Sequence, residues 1–199
     1  MITEQLWNDG LSLTDYIKRM KVYQKEMIQR VDDIRITSAE FQRLKSMDII
    51  RKLLILVEPS CKDCLMNLPI IAKIVEAVPG LSMKIFIRSE NPELTNFFLN
   101  EGIENIPVCW VMKEDFSHCG HWTEQPQSAL RKLNEWKSEN PLYQSIKNDQ
   151  TISEEDRAIR LKPWSEKLVD EMWNWYDTSL QSDTVREIQL LLNCKKPLH

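Results

Sequence analysis

Glycine is scarce in this chain, with four residues in 199. They assemble no G-x-G-x-x-G or Walker-type loop, so no nucleotide cradle is written in the sequence. An excess of positive charge is also missing. The 26 Lys and Arg residues face 30 Asp and Glu, for a net charge of −4. The cations are scattered among carboxylates, no field for attracting a polyanion is built, and no nucleic-acid partner is expected. Long apolar runs are absent, and nothing approaches the roughly 20 residues that span a bilayer. The opening "MITEQLWNDG" lacks the basic and then apolar order of an export signal. A cytoplasmic protein that does not engage membranes is expected. The five cysteines, Cys61, Cys64, Cys109, Cys119 and Cys194, are odd in number and widely spread, which argues against a disulfide framework. Low-complexity tracts and internal repeats are missing too. What is present, 42 % apolar residues, suffices for one well-buried core with helical appendages.

Periodicity divides the chain into three stretches. Residues 1–47 read as a helical segment packed on the core: Tyr16, Ile17, Met20, Tyr23 and Met27 fall at helical spacing, and "TSAEFQRL" opens a shorter helix capped by Thr37 or Ser38. Residues 48–140 change character. "RKLLILV" is a short continuous apolar run of the kind buried on both faces of a sheet. A helical pattern follows, ending near Pro79 and Gly80, and "LSMKIFIR" is a second strand. Asn91 and Pro92 then open a helix that Gly102 closes. This order predicts a parallel strand pair with a crossover helix. "VCWVM" and "FSHCGHW" flank "KED" as an antiparallel hairpin, and Pro126 stands where a helix with Ala129, Leu130, Leu133 and Trp136 begins. Residues 141–199 are expected as a C-terminal helical extension. Its start, "SENPLYQSIKNDQTISEED", reads as a polar connector. A helix behind Pro163 carries Trp164, Leu168, Met172, Trp175 and Tyr176 as a core stripe, and a last helix carries Val185, Ile188, Leu191 and Leu192.

The chemistry concentrates in "EPSCKDCLMNLPI", residues 58–70, where the first apolar run gives way to a helix. Ser60 and Asp63 have the spacing of a capping box, which places Cys61 on the first helical turn. The positive end of a helix favours a thiolate there, so Cys61 is the candidate nucleophile. Cys64, one turn later, is more buried and close enough to attack a mixed disulfide on Cys61. Lys62 adds positive charge beside the thiolate and Asp63 opposes it, so both are candidate tuning residues.

These residues resemble the thioredoxin superfamily, and more closely the bacterial thioredoxin-like proteins with a C-x-D-C motif. The likeness rests on C-K-D-C after a buried strand, on Pro69 five residues beyond Cys64, and on Ile106-Pro107 before the hairpin. It implies an α/β thioredoxin-like fold, with a central mixed sheet of about four strands, helices on both faces, and N- and C-terminal helices added. It also implies that Pro107 follows a cis peptide bond facing the dithiol, and that Ile106 and Pro107 hold the substrate backbone. The implied activity is thiol–disulfide exchange with protein or low-molecular-weight disulfides, reduced in turn by a reductase or a small thiol, with no bound cofactor. Thioredoxins place Trp before the first cysteine and Gly-Pro inside the pair, where this chain has Ser60 and Lys62-Asp63. Ile55 stands where they bury an aspartate, so unless Glu58 substitutes, the proton acceptor that helps Cys64 resolve is missing.

Other readings of the same residues compete. A C-x-x-C pair also fits zinc, but the ligands within reach are His118, Cys119 and His121, whose H-C-x-H spacing is not a standard finger. Strand alternation puts His118 and Cys119 on opposite faces, and the histidines are expected to face solvent. No metal site is therefore expected. Cys109 is expected as a small buried hydrophobe, with a third redox thiol as the alternative. A Cys-His hydrolase lacks an orienting third group. The remaining alternative is a thioredoxin-fold interaction module whose dithiol is incidental.

Overall fold

A computed structural model describes residues 2–193, so Cys194 lies outside the described residues. The chain forms two compact units. One takes in the described residues up to Gln125 together with those from Thr184 onward, and the other is Pro126–Asp183. These limits differ from the 1–47, 48–140 and 141–199 segments, because the helix that begins after Pro126 groups with the helices that follow it.

The first unit is built on a four-stranded sheet. Strands β1 (Arg51–Val57), β2 (Leu81–Ile87), β3 (Val108–Met112) and β4 (His118–Thr123) lie in the order β2-β1-β3-β4. β1 runs parallel to β2, with Ile55 opposite Ile85, and antiparallel to β3, with Ile55 opposite Cys109. β4 closes the antiparallel edge. The run Leu53–Val57 is buried throughout, as a central strand covered on both faces requires. Alternation along β1 sends Leu54 and Leu56 to one face. There they meet Trp7, Phe86, Leu94, Phe98, Val108 and Trp110 in an apolar cluster, with Trp110 edge-on to Phe97 and Phe98. Leu53, Ile55 and Val57 face the opposite side, that of helix α5 (Lys62–Ala77), which contributes no residue to this cluster.

The single stripe expected from Tyr16 to Met27 is broken. The first 47 residues form four short helices, α1 (Glu4–Asp9), α2 (Leu13–Arg19), α3 (Gln24–Asp33) and α4 (Ser38–Lys45). The break falls at Tyr23, whose φ of 58° is left-handed and cannot continue a helix. Thr37 is the α4 cap, in a reciprocal capping box with Glu40. Helix α6 (Pro92–Asn100) starts on its proline, and Gly102, at φ +76°, turns the chain after it.

In the second unit the polar connector proves to be partly helical. α7 (Gln127–Glu139) is followed at once by α8 (Pro141–Asn148), whose Tyr143 packs edge-on against Trp136 at 5.1 Å. Asn140 joins them by donating its side-chain amide to the Trp136 carbonyl. Pro163 does not open the next helix. It lies inside α9 (Glu154–Trp175), which begins earlier because the Ser153 hydroxyl caps the Asp156 N–H. Leu168, Val169, Met172 and Tyr176 are buried, whereas Trp164 and Trp175, expected in the core stripe, are half-buried. A wide turn, Tyr176–Leu180, leads into α10 (Gln181–Leu192).

Candidate functional site

Helix α5 begins one residue later than the Ser60 capping box requires. Its N-cap is Cys61, in extended backbone, and the Cys61 sulfur itself accepts the Cys64 N–H at 3.2 Å. The correction matters chemically, because it puts the sulfur at the positive end of the helix in place of a hydroxyl. Cys61 is half-buried, whereas Cys64 is 0 % exposed and sits inside the first turn. Both thiols are free. Burial first, and the hydrogen bond and charge of Cys61 second, hold the Cys64 thiol well above its ordinary range. A backbone hydrogen bond from Glu58 opposes this, and the Asp63 charge adds to it.

The second wall of the site is the Ile106–Pro107 step, which is a cis peptide. The Cys61 thiol donates to the Ile106 carbonyl at 3.6 Å. The structure therefore brings Cys61, Cys64, Ile106 and Pro107 together, with Lys62 and Asp63 half-buried on the turn between the sulfurs. The Glu58 side chain takes another role. Its carboxylate accepts from the Ser89 N–H at 3.0 Å and from the Ser89 hydroxyl at 3.2 Å, which ties the loop after β1 to the turn after β2.

A buried polar residue missed in the sequence locks the two walls together. Asn67 is 0 % exposed on the second turn of α5. Its amide donates to the Asp63 carbonyl at 3.0 Å and to the Glu124 carbonyl at 3.3 Å, while its oxygen accepts from the Thr184 hydroxyl at 2.9 Å. Glu124 in turn donates its N–H to the Pro107 carbonyl at 2.9 Å. The dithiol turn, the cis-proline loop and α10 thus share one hydrogen-bonded hub. The available signal was a lone Asn in the apolar run "LMNLPIIA", since a polar group there must be satisfied inside the fold.

The remaining candidates lie elsewhere. Cys109 is 0 % exposed, and burial pushes its thiol up to about 12. His118 and His121 are exposed, as expected, but a bulge in the β3–β4 pairing puts both on one face. Both stack on Trp110, His118 at 3.4 Å between ring centroids. That is the Leu54 and Leu56 side of the sheet. Among the described residues no three His, Cys, Asp or Glu side chains converge as a metal site, and no helix is long and apolar enough to cross a membrane.

Comparison with known proteins agrees with this geometry. No curated protein matches the sequence. Among solved structures, the chain is similar to a Pseudomonas aeruginosa protein of unknown function, at 17 % identity and a TM-score of 0.66, covering 96 % of this chain and 97 % of that one. It is also similar to an HIV epitope scaffold, at 15 % identity and a TM-score of 0.63, with the same coverage. These two likenesses concern the fold. The sequence itself matches the Thioredoxin_9 family model, described as thioredoxin, over residues 10–138, and on that match across more than half its length this chain belongs to the thioredoxin family.

Proposed function

We propose that the protein is a thiol–disulfide oxidoreductase using the Cys61/Cys64 dithiol, nearest in kind to the bacterial thioredoxin-like proteins with a C-x-D-C motif. The observation that carries this reading is the asymmetry of the pair. One sulfur is accessible and caps a helix, and the other is buried one turn inside with its N–H on the first. The Cys61 thiolate attacks a substrate disulfide, forming a mixed disulfide and releasing one substrate thiolate. Cys64 loses its proton and attacks the Cys61 sulfur, which closes the Cys61–Cys64 disulfide and releases the second thiolate. Two electrons pass to the substrate, and the two departing thiolates take up the two protons. Ile106 and Pro107 hold the substrate backbone beside the dithiol, while Lys62 and Asp63 tune it. A reductase or low-molecular-weight thiol of a cytoplasmic compartment restores the dithiol, and no bound cofactor is needed.

Without Cys64 the mixed disulfide has no internal thiol to resolve it. Cys64→Ser is therefore expected to trap covalent complexes with substrate proteins in a lysate, and Cys61→Ser to trap few, as read on non-reducing gels. Equal or absent trapping by the two variants would sink this reading and leave an interaction module with an incidental dithiol.

A further inference from the structure

The cis-proline wall of the site carries a carboxylate that the exchange chemistry does not use. Glu124, the residue after β4, is half-buried and stands at φ 64°, a left-handed conformation that glycine would adopt without strain. Hydrogen bonds fix it there. Its N–H donates to the Pro107 carbonyl at 2.9 Å, and its carbonyl accepts the Asn67 amide at 3.3 Å. One carboxylate oxygen, Oε2, accepts the side-chain amide of Asn105 at 2.9 Å. Asn105 directly precedes Ile106, whose carbonyl takes the Cys61 thiol at 3.6 Å. Glu124 is therefore bonded to the chain on both sides of Ile106, beside the accessible sulfur. Its other carboxylate oxygen, Oε1, has no hydrogen-bond partner among the described residues, and no described cation pairs with the group. A side chain held at a site on strained backbone, with its charge unmatched, is fitted to meet something that arrives from outside.

Resting on the dithiol reading, we propose that Glu124 is a specificity-determining residue whose open carboxylate oxygen receives a Lys or Arg side chain of the substrate. The preferred substrates are then peptide or protein disulfides with a basic residue next to the cysteine. Acidic disulfides, glutathione disulfide among them, are disfavoured. The surroundings add to the selection. Glu58, Asp63, Glu104 and Glu124 stand on the segments that frame the dithiol and outnumber Lys62 and Arg88, and the Arg88 guanidinium is engaged with the Glu104 carbonyl at 3.2 Å. Asn105 supplies the geometry. By holding Oε2 it fixes the carboxylate before substrate arrives, so little side-chain freedom is lost when a cation binds. Glu124 touches neither reacting sulfur, and the exchange steps and their electron balance are unchanged by it.

The test uses two synthetic peptide disulfides that differ only in carrying Arg or Glu beside the cysteine. Each is mixed at low ionic strength with the reduced full chain, and the peptide thiol released is followed by acid quenching and chromatography. Dithiothreitol, an uncharged reductant, is run on the same pair, so that the Arg-to-Glu rate ratio can be corrected for intrinsic reactivity. The corrected ratio for the parent protein is expected at about tenfold, from one attraction gained and one repulsion avoided at a partly exposed group. Glu124→Gln keeps an acceptor for Asn105 and both backbone bonds, and it is expected to cut the ratio to about twofold. Glu124→Lys is expected to bring it to one or below. Glu104→Gln, which removes an exposed charge two residues before Ile106, is expected to leave the ratio near the parental value. A parental ratio of one or less, or a fall in Glu104→Gln as large as in Glu124→Gln, overturns the Glu124 assignment alone. A parent that releases no thiol from either peptide, or no more than Cys61→Ser does, overturns the dithiol reading and this inference with it.

Discussion

Replacing Asn67 by Leu asks whether the buried hub holds the site together. The substitution removes the donors to the Asp63 and Glu124 carbonyls and the acceptor for the Thr184 hydroxyl. Asp63 keeps its place in the α5 ladder, so its carbonyl loses little. Removing a partner of the Glu124 carbonyl and of the Thr184 hydroxyl, with Thr184 at 0 % exposed, costs about 1–3 kcal/mol each, and the apolar surface gained by Leu offsets part of that. A net loss of about 2–4 kcal/mol follows. Urea unfolding followed by the tryptophan fluorescence of the first unit measures it. With a slope of about 2 kcal/mol/M, the midpoint is expected to drop by about 1–2 M. Thr184→Val removes only the link to α10 and is expected to cost about 1 kcal/mol. The double variant is expected to be less destabilised than the sum, with a coupling of about 1 kcal/mol. A loss below about 0.5 kcal/mol for Asn67→Leu, the range of ordinary surface changes, would refute the hub.

Other expectations test separate parts of the fold. A Cβ at Gly80 would lie 1.8 Å from the Ile49 backbone carbonyl oxygen, so Gly80→Ala must move backbone and is expected to cost about 2 kcal/mol or more by thermal or urea unfolding. Parental stability would mean that the turn between α5 and β2 is looser than described. Cys109 should make the protein alkali-sensitive. Above about pH 9 the unfolded chain ionises this thiol, whereas the folded chain holds its proton up to about 12. The folded state therefore binds the extra proton, and stability falls as pH rises through that window. Cys109→Ala is expected to flatten the loss between pH 8 and 10, measured by urea midpoints. An identical slope in the two proteins would contradict a buried thiol. Trp122 donates its indole N–H to the Glu187 carboxylate at 2.7 Å, and Trp122→Phe is expected to loosen the α10 end of the first unit by about 1.5–3 kcal/mol. Unchanged exchange protection of α10 amides would argue against that bond.

Much of the sheet was legible because its signals are local. Leu53–Val57 is continuously apolar, the helix after Asn91 opens on proline and closes on glycine, and the paired cysteines mark the junction of strand and helix. Each of these follows from burial or backbone conformation over a few residues. What was hidden depended on distant partners. The segment after Asn140 is polar in composition, yet Pro141 starts a helix that Tyr143 anchors on Trp136. Pro163 reads as a helix start by propensity, but the Ser153 cap upstream wins, and the proline is tolerated within a long helix. His118 and His121 share a face only because of a bulge, which period-two reasoning cannot foresee. At the site, the pairing of Cys61 with Cys64 was readable, but not that the cysteine would replace the serine as cap. Asn67 looked like a lone polar residue in an apolar run. Its polar atoms acquire meaning only when Thr184 and Glu124 arrive from elsewhere in the chain.

The most direct test of the account is equilibration of the whole protein in glutathione buffers of graded potential, followed by acid quenching and mass mapping of the cysteine peptides. One intramolecular bridge between Cys61 and Cys64 is expected, forming and opening reversibly, half-oxidised near or below about −230 mV as suits a reductant, with Cys109 a free thiol at every poise. Absence of that bridge across the series, or glutathione held on Cys61 with Cys64 still reduced, would contradict the claim that this dithiol exchanges disulfides.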